Sequence, residues 1–127
     1  MDSLIIEASG YKPKIVLDPI NNIYEISGQS IPENPIETYE PLFKWIKENL
    51  NNVNNNIDFK ISLEYFNTAS AKLIFDIILK LEEYSTDNRK IKIVWCYDKE
   101  DIDMQMAGED YAEASDLTFE FVELDSE

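Results

Sequence analysis

The residues best suited to chemistry stand in the middle of the chain, where Asn67-Thr-Ala-Ser70 separates two segments of different hydrophobic period. Polar side chains of this kind commonly cap the first turn of a helix. The unpaired amides and the dipole of a helix start also favour negative charge, so a phosphate on Thr68 or Ser70 would be stabilised there. Two interpretations stay open at this point: either hydroxyl is only a helix cap, or one of them is a phosphorylation site.

Composition excludes most catalytic constellations. The chain has no histidine, which removes a histidine general base and every Ser-His-Asp or Cys-His arrangement. Its three glycines, Gly10, Gly28 and Gly108, lie far apart and form neither a phosphate-binding loop nor a dinucleotide fingerprint. A single cysteine, Cys96, excludes a disulfide framework and a zinc cluster. No cofactor is expected.

One enzymatic alternative remains, a carboxylate-dependent metal-binding enzyme that uses Asp98, Asp101 and Asp103. The segment begins like a calcium loop at Asp101 and Asp103, but Met106 stands at the glycine position and Ala112 at the position of the final glutamate. Acidic residues are also favoured at a helix start by the dipole alone. Because the calcium-loop match is incomplete, the metal-binding enzyme is kept only as an alternative.

A proline-bracketed loop before the first predicted helix is the second candidate contact site. Pro32, Glu33 and Asn34 lie in it, and Asn34 has a structural explanation as a helix cap. Ile31 and Pro32 are expected to be exposed if the loop projects, which would suit a protein contact.

Length and charge favour a protein partner. The 127 residues suit one domain, 1–127, and the formal charge is −15, with 26 acidic against 11 basic residues. Such a charge repels phosphate backbones and anionic lipid, so neither nucleic acid nor a membrane surface is an expected partner. The start of the sequence has no basic region and only a short apolar run, and no apolar run approaches a membrane span. The sequence therefore predicts a cytoplasmic protein.

The elements that position these residues follow from hydrophobic periodicity. Helices are predicted over about 35–49, from the Asn67 turn to about Glu83, and over 101–113. Pro41 is expected to kink the first helix or delay its start. That helix should bury Ile36, Tyr39, Leu42, Phe43, Ile46 and Leu50. Strands are predicted over 4–6, 14–17, 23–27, 57–65, 90–97 and 118–124, with loops over 28–35 and 49–56 and a frayed end over 125–127.

Strands separated by helices imply crossovers and parallel pairing, whereas the opening hairpin adds antiparallel pairs. Several strands alternate between apolar and polar residues, so one face of the sheet is expected to be solvated. The predicted fold class is an α/β single domain with a mixed β-sheet and helices mainly packed on one face.

At this point the motifs resemble the SiaC-type family of bacterial regulatory phosphoproteins, which are similar in fold and logic to the anti-anti-sigma (STAS) domains. The resemblance covers about residues 14–122. The motifs that carry it are Ser30-Ile-Pro-Glu-Asn34, Leu63-Glu-Tyr-Phe-Asn-Thr-Ala-Ser-Ala-Lys72, Trp95-Cys-Tyr-Asp98, Asp103-Met104 and Gly108-Glu-Asp-Tyr111.

The resemblance implies that Thr68, directly after Asn67, is the phosphorylated residue, with Ser70 as second choice. Ala69 stands where the family usually has a serine, which removes one hydroxyl beside the acceptor. The implied function is partner switching without catalysis by this chain. The implied partners are a kinase of the histidine-kinase-like ATPase class, a PP2C-like phosphatase, and an effector such as a diguanylate cyclase bound by the unphosphorylated form. An unswitched scaffold domain stays as a further alternative. The expected partner-binding residues are Pro32, Glu33, Asn34, Asn67, Thr68, Ser70 and Lys72.

Overall fold

Six strands form one sheet in chain order in the structure, a computed structural model that describes residues 2–125. The strands are β1 (Leu4–Ile6), β2 (Lys14–Asp18), β3 (Ile23–Ser30), β4 (Ile57–Phe66), β5 (Ile91–Asp98) and β6 (Thr118–Leu124). The helices are α1 (Pro35–Asn49), α2 (Thr68–Tyr84) and α3 (Ile102–Ala114), and a 3₁₀ turn over Leu50–Asn52 follows α1. Within these residues, no helix is long and apolar enough to cross a bilayer.

The sheet is mixed, as predicted. β1, β2 and β3 pair antiparallel, whereas β3, β4, β5 and β6 pair parallel with one helix between each successive pair. The carboxyl ends of the four parallel strands therefore meet at one edge, here called the carboxyl edge. The turn between β1 and β2 lies at the same edge, since the Ile31 amide after β3 donates to the Tyr11 carbonyl at 2.9 Å.

The core lies between one face of the sheet and the three helices. Along β4, Ile57, Phe59 and Ile61 are buried while Asp58 and Lys60 are exposed, the alternation expected of a half-buried strand. Crossovers of one hand between neighbouring parallel strands place their helices on the same side. The opposite face is solvated and carries charge pairs: the Lys92 ammonium lies 2.8 Å from the carboxylate of Glu120 and 3.8 Å from that of Asp58.

The first helix begins at Pro35, as predicted, but its buried side differs from the predicted stripe. It continues through Pro41, so the alternative of a later start is wrong. Trp45 is buried in it, whereas Ile36 of the predicted stripe is 70% exposed and Phe43 is half-buried. The buried face is therefore rotated about the helix axis, so that it includes Trp45 and leaves Ile36 exposed.

The third strand is longer than predicted, since residues 28–30 belong to β3 and not to a loop. Gly28 has a φ of 94°, a conformation that glycine adopts without strain. The register with β4 shifts between Gly28 and Gln29, so Leu63 and Tyr65 have partners and Glu64 between them has none. Gly28, which was predicted to begin a loop, thus lies inside β3 at the point where the pairing with β4 shifts by one residue.

The asparagine-rich segment 49–56 is anchored to the core instead of lying wholly on the surface. Leu50 and Val53 are buried, and the buried Arg89 guanidinium donates to their carbonyls at 2.8 and 3.2 Å and also to the Tyr84 carbonyl. Asp125 follows β6 as exposed, irregular chain, and residues 126–127 of the predicted frayed end lie outside the described residues.

Candidate functional site

The turn at the start of α2 is capped by Asn67 and not by a hydroxyl. The Asn67 side-chain oxygen accepts the Ser70 amide at 2.9 Å, and its carbonyl accepts the Ala71 amide at 2.9 Å. Thr68 is the first helical residue and is exposed. The interpretation of Thr68 or Ser70 as the helix cap is therefore wrong, because the preceding asparagine does that work.

The two candidate hydroxyls stand in opposite environments. Ser70 is fully buried, and its hydroxyl accepts a hydrogen bond from Ser30 at 2.9 Å. The Ser30 hydroxyl also shares a 2.5 Å hydrogen bond with the hydroxyl of Tyr39. Burial raises the pKa of Tyr39 to about 12, although this hydrogen bond lowers it in part. A kinase reaching the surface would therefore find the hydroxyl of Thr68 and not that of Ser70.

This buried chain of hydroxyls fastens three elements together at the carboxyl edge. Ser30 ends β3, Tyr39 lies on α1 and Ser70 lies in the first turn of α2. The Asn67 amide adds a backbone bond to the Ser30 carbonyl at 3.1 Å. The loop that follows β3 and the turn that carries Thr68 therefore lie side by side.

That loop exposes its polar residues and not its apolar ones. Glu33 and Asn34 are exposed, whereas Pro32 is buried and Ile31 is half-buried, so the expectation that Ile31 and Pro32 project is wrong. Asn34 caps α1 by accepting the Glu37 amide at 3.2 Å, and its amide group donates to the Glu37 carboxylate at 3.2 Å. A partner at this edge would contact Glu33 and Asn34 directly, whereas Pro32 is buried beneath the loop surface.

Lys72 lies one helical turn after Thr68. Residues four apart share a face of a helix, and the side chain of Lys72 is exposed. Its ammonium is therefore within reach of a group attached to the Thr68 hydroxyl.

Aromatic side chains hold α3 against the first turn of α2. The Tyr111 hydroxyl donates to the Ala71 carbonyl at 2.8 Å, and the Tyr111 ring stacks on Phe75 with centroids 5.9 Å apart. Tyr111 also meets Trp95 edge-on at 5.5 Å, and burial raises the pKa of Tyr111 to about 12. Trp95 donates its indole N–H to the Met104 carbonyl at 2.9 Å. The start of α2 is thus braced from both sides.

Exposed apolar side chains gather at the carboxyl edge. Tyr11, Ile36 and Tyr65 are 65, 70 and 58% exposed, and Ile102 and Met106 at the start of α3 are 65 and 53% exposed. Sequence reasoning missed this feature, because it placed Ile36 on the buried stripe of the first helix and Tyr65 on the apolar side of the alternating strand over 57–65. Helical spacing would have found the α3 pair, since Ile102 and Met106 lie four residues apart.

The acidic segment before α3 has structural roles. The Asp98 carboxylate accepts the Glu100 amide at 2.9 Å, Asp101 caps α3 by accepting the Met104 amide at 3.0 Å, and Asp103 lies exposed in the first turn. Across residues 2–125, no group of three or more His, Cys, Asp or Glu side chains is arranged to hold a metal ion. The described geometry thus gives the metal-enzyme alternative no support.

Comparison with known proteins gives one consistent result. The family model for SiaC family regulatory phosphoproteins matches residues 6–124. An uncharacterised protein of Pseudomonas aeruginosa strain UCBPP-PA14 is 28% identical over 121 residues, which are 95% of this chain and 94% of the relative.

Solved structures match over nearly the whole chain. The crystal structure of apo-SiaC from Pseudomonas aeruginosa has a TM-score of 0.86 at 26% identity and covers 96% of this chain and 99% of that one. The crystal structure of the diguanylate cyclase SiaD in complex with its activator SiaC, from the same organism, also has a TM-score of 0.86 at 26% identity, covering 95 and 99%.

Proposed function

This chain belongs to the SiaC family of regulatory phosphoproteins, and we propose that it is a partner-switching protein controlled by reversible phosphorylation of Thr68. In its unphosphorylated form it binds and activates a diguanylate cyclase, and phosphorylation ends that binding. The proposal is supported by the SiaC that it resembles over 95% of its length, which is the activator in a complex with such a cyclase. The chain itself is a bound regulator and not a catalyst.

The observation that carries the assignment of Thr68 is the contrast at the start of α2. Asn67 makes the cap, Ser70 is buried and bonded to Ser30, and the Thr68 side chain is left exposed. A hydroxyl that has no structural task and stands on a fixed helix start is a suitable phosphoryl acceptor. The same rigidity presents it to a kinase in one orientation.

A phosphate on Thr68 would leave the fold intact. It adds about −1.5 to −2 charge at the positive end of the α2 dipole, where anions are stabilised by about 0.3–1 kcal/mol. Lys72, four residues on, adds a cation on the same face. The phosphate therefore acts by changing the surface that a partner meets and not by unfolding the helix.

The surface around Thr68 explains why the added charge would release a partner. Exposed apolar side chains, among them Tyr65, Ile102 and Met106, surround this edge, and a partner that covers them would also exclude water from Thr68. Burying the added charge in such an interface costs several kcal/mol, because the partner removes the water that solvates it. Every 1.4 kcal/mol lowers the affinity tenfold, so one phosphate suffices to release the effector.

Other proteins must add and remove the phosphate. The sequence has no histidine and no glycine-rich phosphate loop, so the chain has no evident means of catalysing either step itself. We assign addition to a kinase of the histidine-kinase-like ATPase class and removal to a PP2C-like phosphatase, the two enzymes that the family resemblance implies.

Phosphorylation mapping tests the acceptor. The full chain is incubated with ATP and a candidate kinase of the histidine-kinase-like ATPase class, and the phosphopeptides are sequenced by mass spectrometry. We expect one phosphate on Thr68, lost in Thr68→Ala and kept in Thr118→Ala, a matched change at another exposed threonine. Full labelling of Thr68→Ala would overturn the assignment, and a Ser70→Ala variant would then test the second choice.

A further inference from the structure

A small pocket lies between the end of β4 and the first turns of α3. Its volume is about 170 Å³, several times the roughly 30 Å³ that one water molecule occupies. It is here called the Tyr65 pocket, and it is lined by Glu64, Tyr65, Phe66, Asp101, Asp103, Met104 and Ala107. The space therefore suits one side chain and not a whole ligand.

The pocket combines an apolar interior with an acidic rim. Met104 is 6% exposed and Ala107 is half-buried, while the Tyr65 ring is 58% exposed and forms an open wall. Glu64 and Asp103 are exposed carboxylates at the rim. Among the described residues, neither of them pairs with a lysine or arginine within 4.0 Å.

These properties select the chemistry of the occupant. An apolar stem with a cationic head would place its methylenes against Met104 and Ala107 and its charge at the carboxylates. A guanidinium fits better than an ammonium, because its plane can lie on the Tyr65 ring and its fork of donors matches carboxylate oxygens. The complementary residue is therefore arginine.

The occupant cannot come from a second copy of this chain. Arg89 is its only arginine, and that side chain is 7% exposed and donates to three backbone carbonyls in the core. Two copies would also bring two charges of −15 together. The arginine must belong to a different protein.

We propose that the Tyr65 pocket anchors an arginine side chain of the protein partner that docks on the carboxyl edge. This proposal rests on the proposed function for the identity of that partner, the cyclase effector. Tyr65 precedes Thr68 by three residues. Phe66, which lines the pocket, meets Trp95 edge-on at 6.4 Å, and Trp95 in turn contacts Tyr111, which donates to the Ala71 carbonyl in the first turn of α2. The pocket and the phosphorylation site thus belong to one surface, with the anchor at one side of the switch.

The pocket is tested with a single-residue probe. Nα-acetyl-arginine methylamide is titrated into the unphosphorylated full chain labelled with ¹⁵N, and the neutral citrulline analogue is titrated as control. We expect saturable amide shifts confined to the residues around Tyr65 and Ala107, with millimolar affinity. The citrulline analogue should bind about fivefold more weakly, because its neutral head cannot form ion pairs with the exposed carboxylates of Glu64 and Asp103.

Matched variants separate the pocket from the general acidic surface. Glu64→Gln with Asp103→Asn should lower the arginine affinity about fivefold, whereas Asp110→Asn with Glu113→Gln changes the net charge equally on exposed positions of α3 and should leave it unchanged. Shifts spread evenly over the acidic surface, or equal losses in both variants, would overturn the pocket. Neither the effector nor phosphorylation enters this experiment, so its failure would leave the proposal for Thr68 standing, and a failure at Thr68 would leave the pocket standing.

Discussion

Replacing Asn67 and Thr68 separately by alanine tests whether Thr68 is free of structural work. Asn67→Ala removes the 2.9 Å bond from the Ser70 amide to the cap oxygen, but it keeps the backbone bonds that residue 67 makes to Ser30 and Ala71. Loss of an asparagine cap costs about 1 kcal/mol, within a range of roughly 0.5–2. The exposed Thr68 side chain makes no hydrogen bond among the described residues, so Thr68→Ala should change the free energy of unfolding by less than about 0.5 kcal/mol.

Urea unfolding followed by the fluorescence of the buried Trp45 and Trp95 measures both values in one assay. We expect a lower midpoint for Asn67→Ala with an unchanged slope, and a fall in melting temperature of about 2–6 °C. Asn67→Asp keeps an acceptor at the cap and should stay near the parent. If Thr68→Ala proved as destabilising as Asn67→Ala, the Thr68 side chain would have a structural role. The claim that its hydroxyl is available for phosphorylation without cost to the fold would then be wrong.

Two further predictions concern the supports of the site. Gly108→Ala should destabilise the fold by about 1–2 kcal/mol, because a Cβ there would lie under 3.0 Å from the buried Trp95 indole. This overpacking outweighs the gain of about 1 kcal/mol in helix propensity. An increase in the urea midpoint would contradict the prediction. Burial raises the pKa of Tyr39 from 10 to about 12. The unfolded chain therefore ionises first, and stability present below pH 10 falls by about 2–3 kcal/mol as the pH rises to 12. Tyr39→Phe should reduce that alkaline loss in urea titrations at pH 9 and 11.5, and an unchanged loss would refute the cause.

Local rules were enough to predict much of the architecture. Asn34, Pro35 and Glu37 define a helix start by side-chain chemistry alone, and the structure confirms both the cap and the first helical residue. The alternation along β4 and the change of period at Asn67 placed the central strand and helix correctly. Because these signals depend on near neighbours in the sequence, one chain suffices to read them.

Other features of the site depend on contacts between residues that are distant in the sequence, and local patterns do not predict them. Ser70 lies four residues before the buried Ile74, so helical spacing places it on the buried face of α2, but its hydrogen bond with Ser30, 40 residues away, is a tertiary contact that no local pattern shows. Tyr65 follows the alternation of β4 on paper, but the register shift at Glu64 interrupts that alternation and leaves Tyr65 exposed. The grouping of Tyr65 with Ile102 at one edge requires the order of the strands, which is likewise not a local property.

Binding of the diguanylate cyclase effector to variants of Thr68 tests the central proposal most directly. The full chain is titrated calorimetrically into the purified cyclase as the parent, as Thr68→Ala and as Thr68→Asp, with Thr118→Asp as an equal charge change where β6 begins, at the opposite edge of the sheet. We predict that Thr68→Ala and Thr118→Asp bind like the parent, whereas Thr68→Asp binds more than tenfold more weakly, because a partner that covers this edge would remove water from the added carboxylate. Equal affinity of Thr68→Asp and Thr68→Ala would contradict the switch and leave an unswitched scaffold domain.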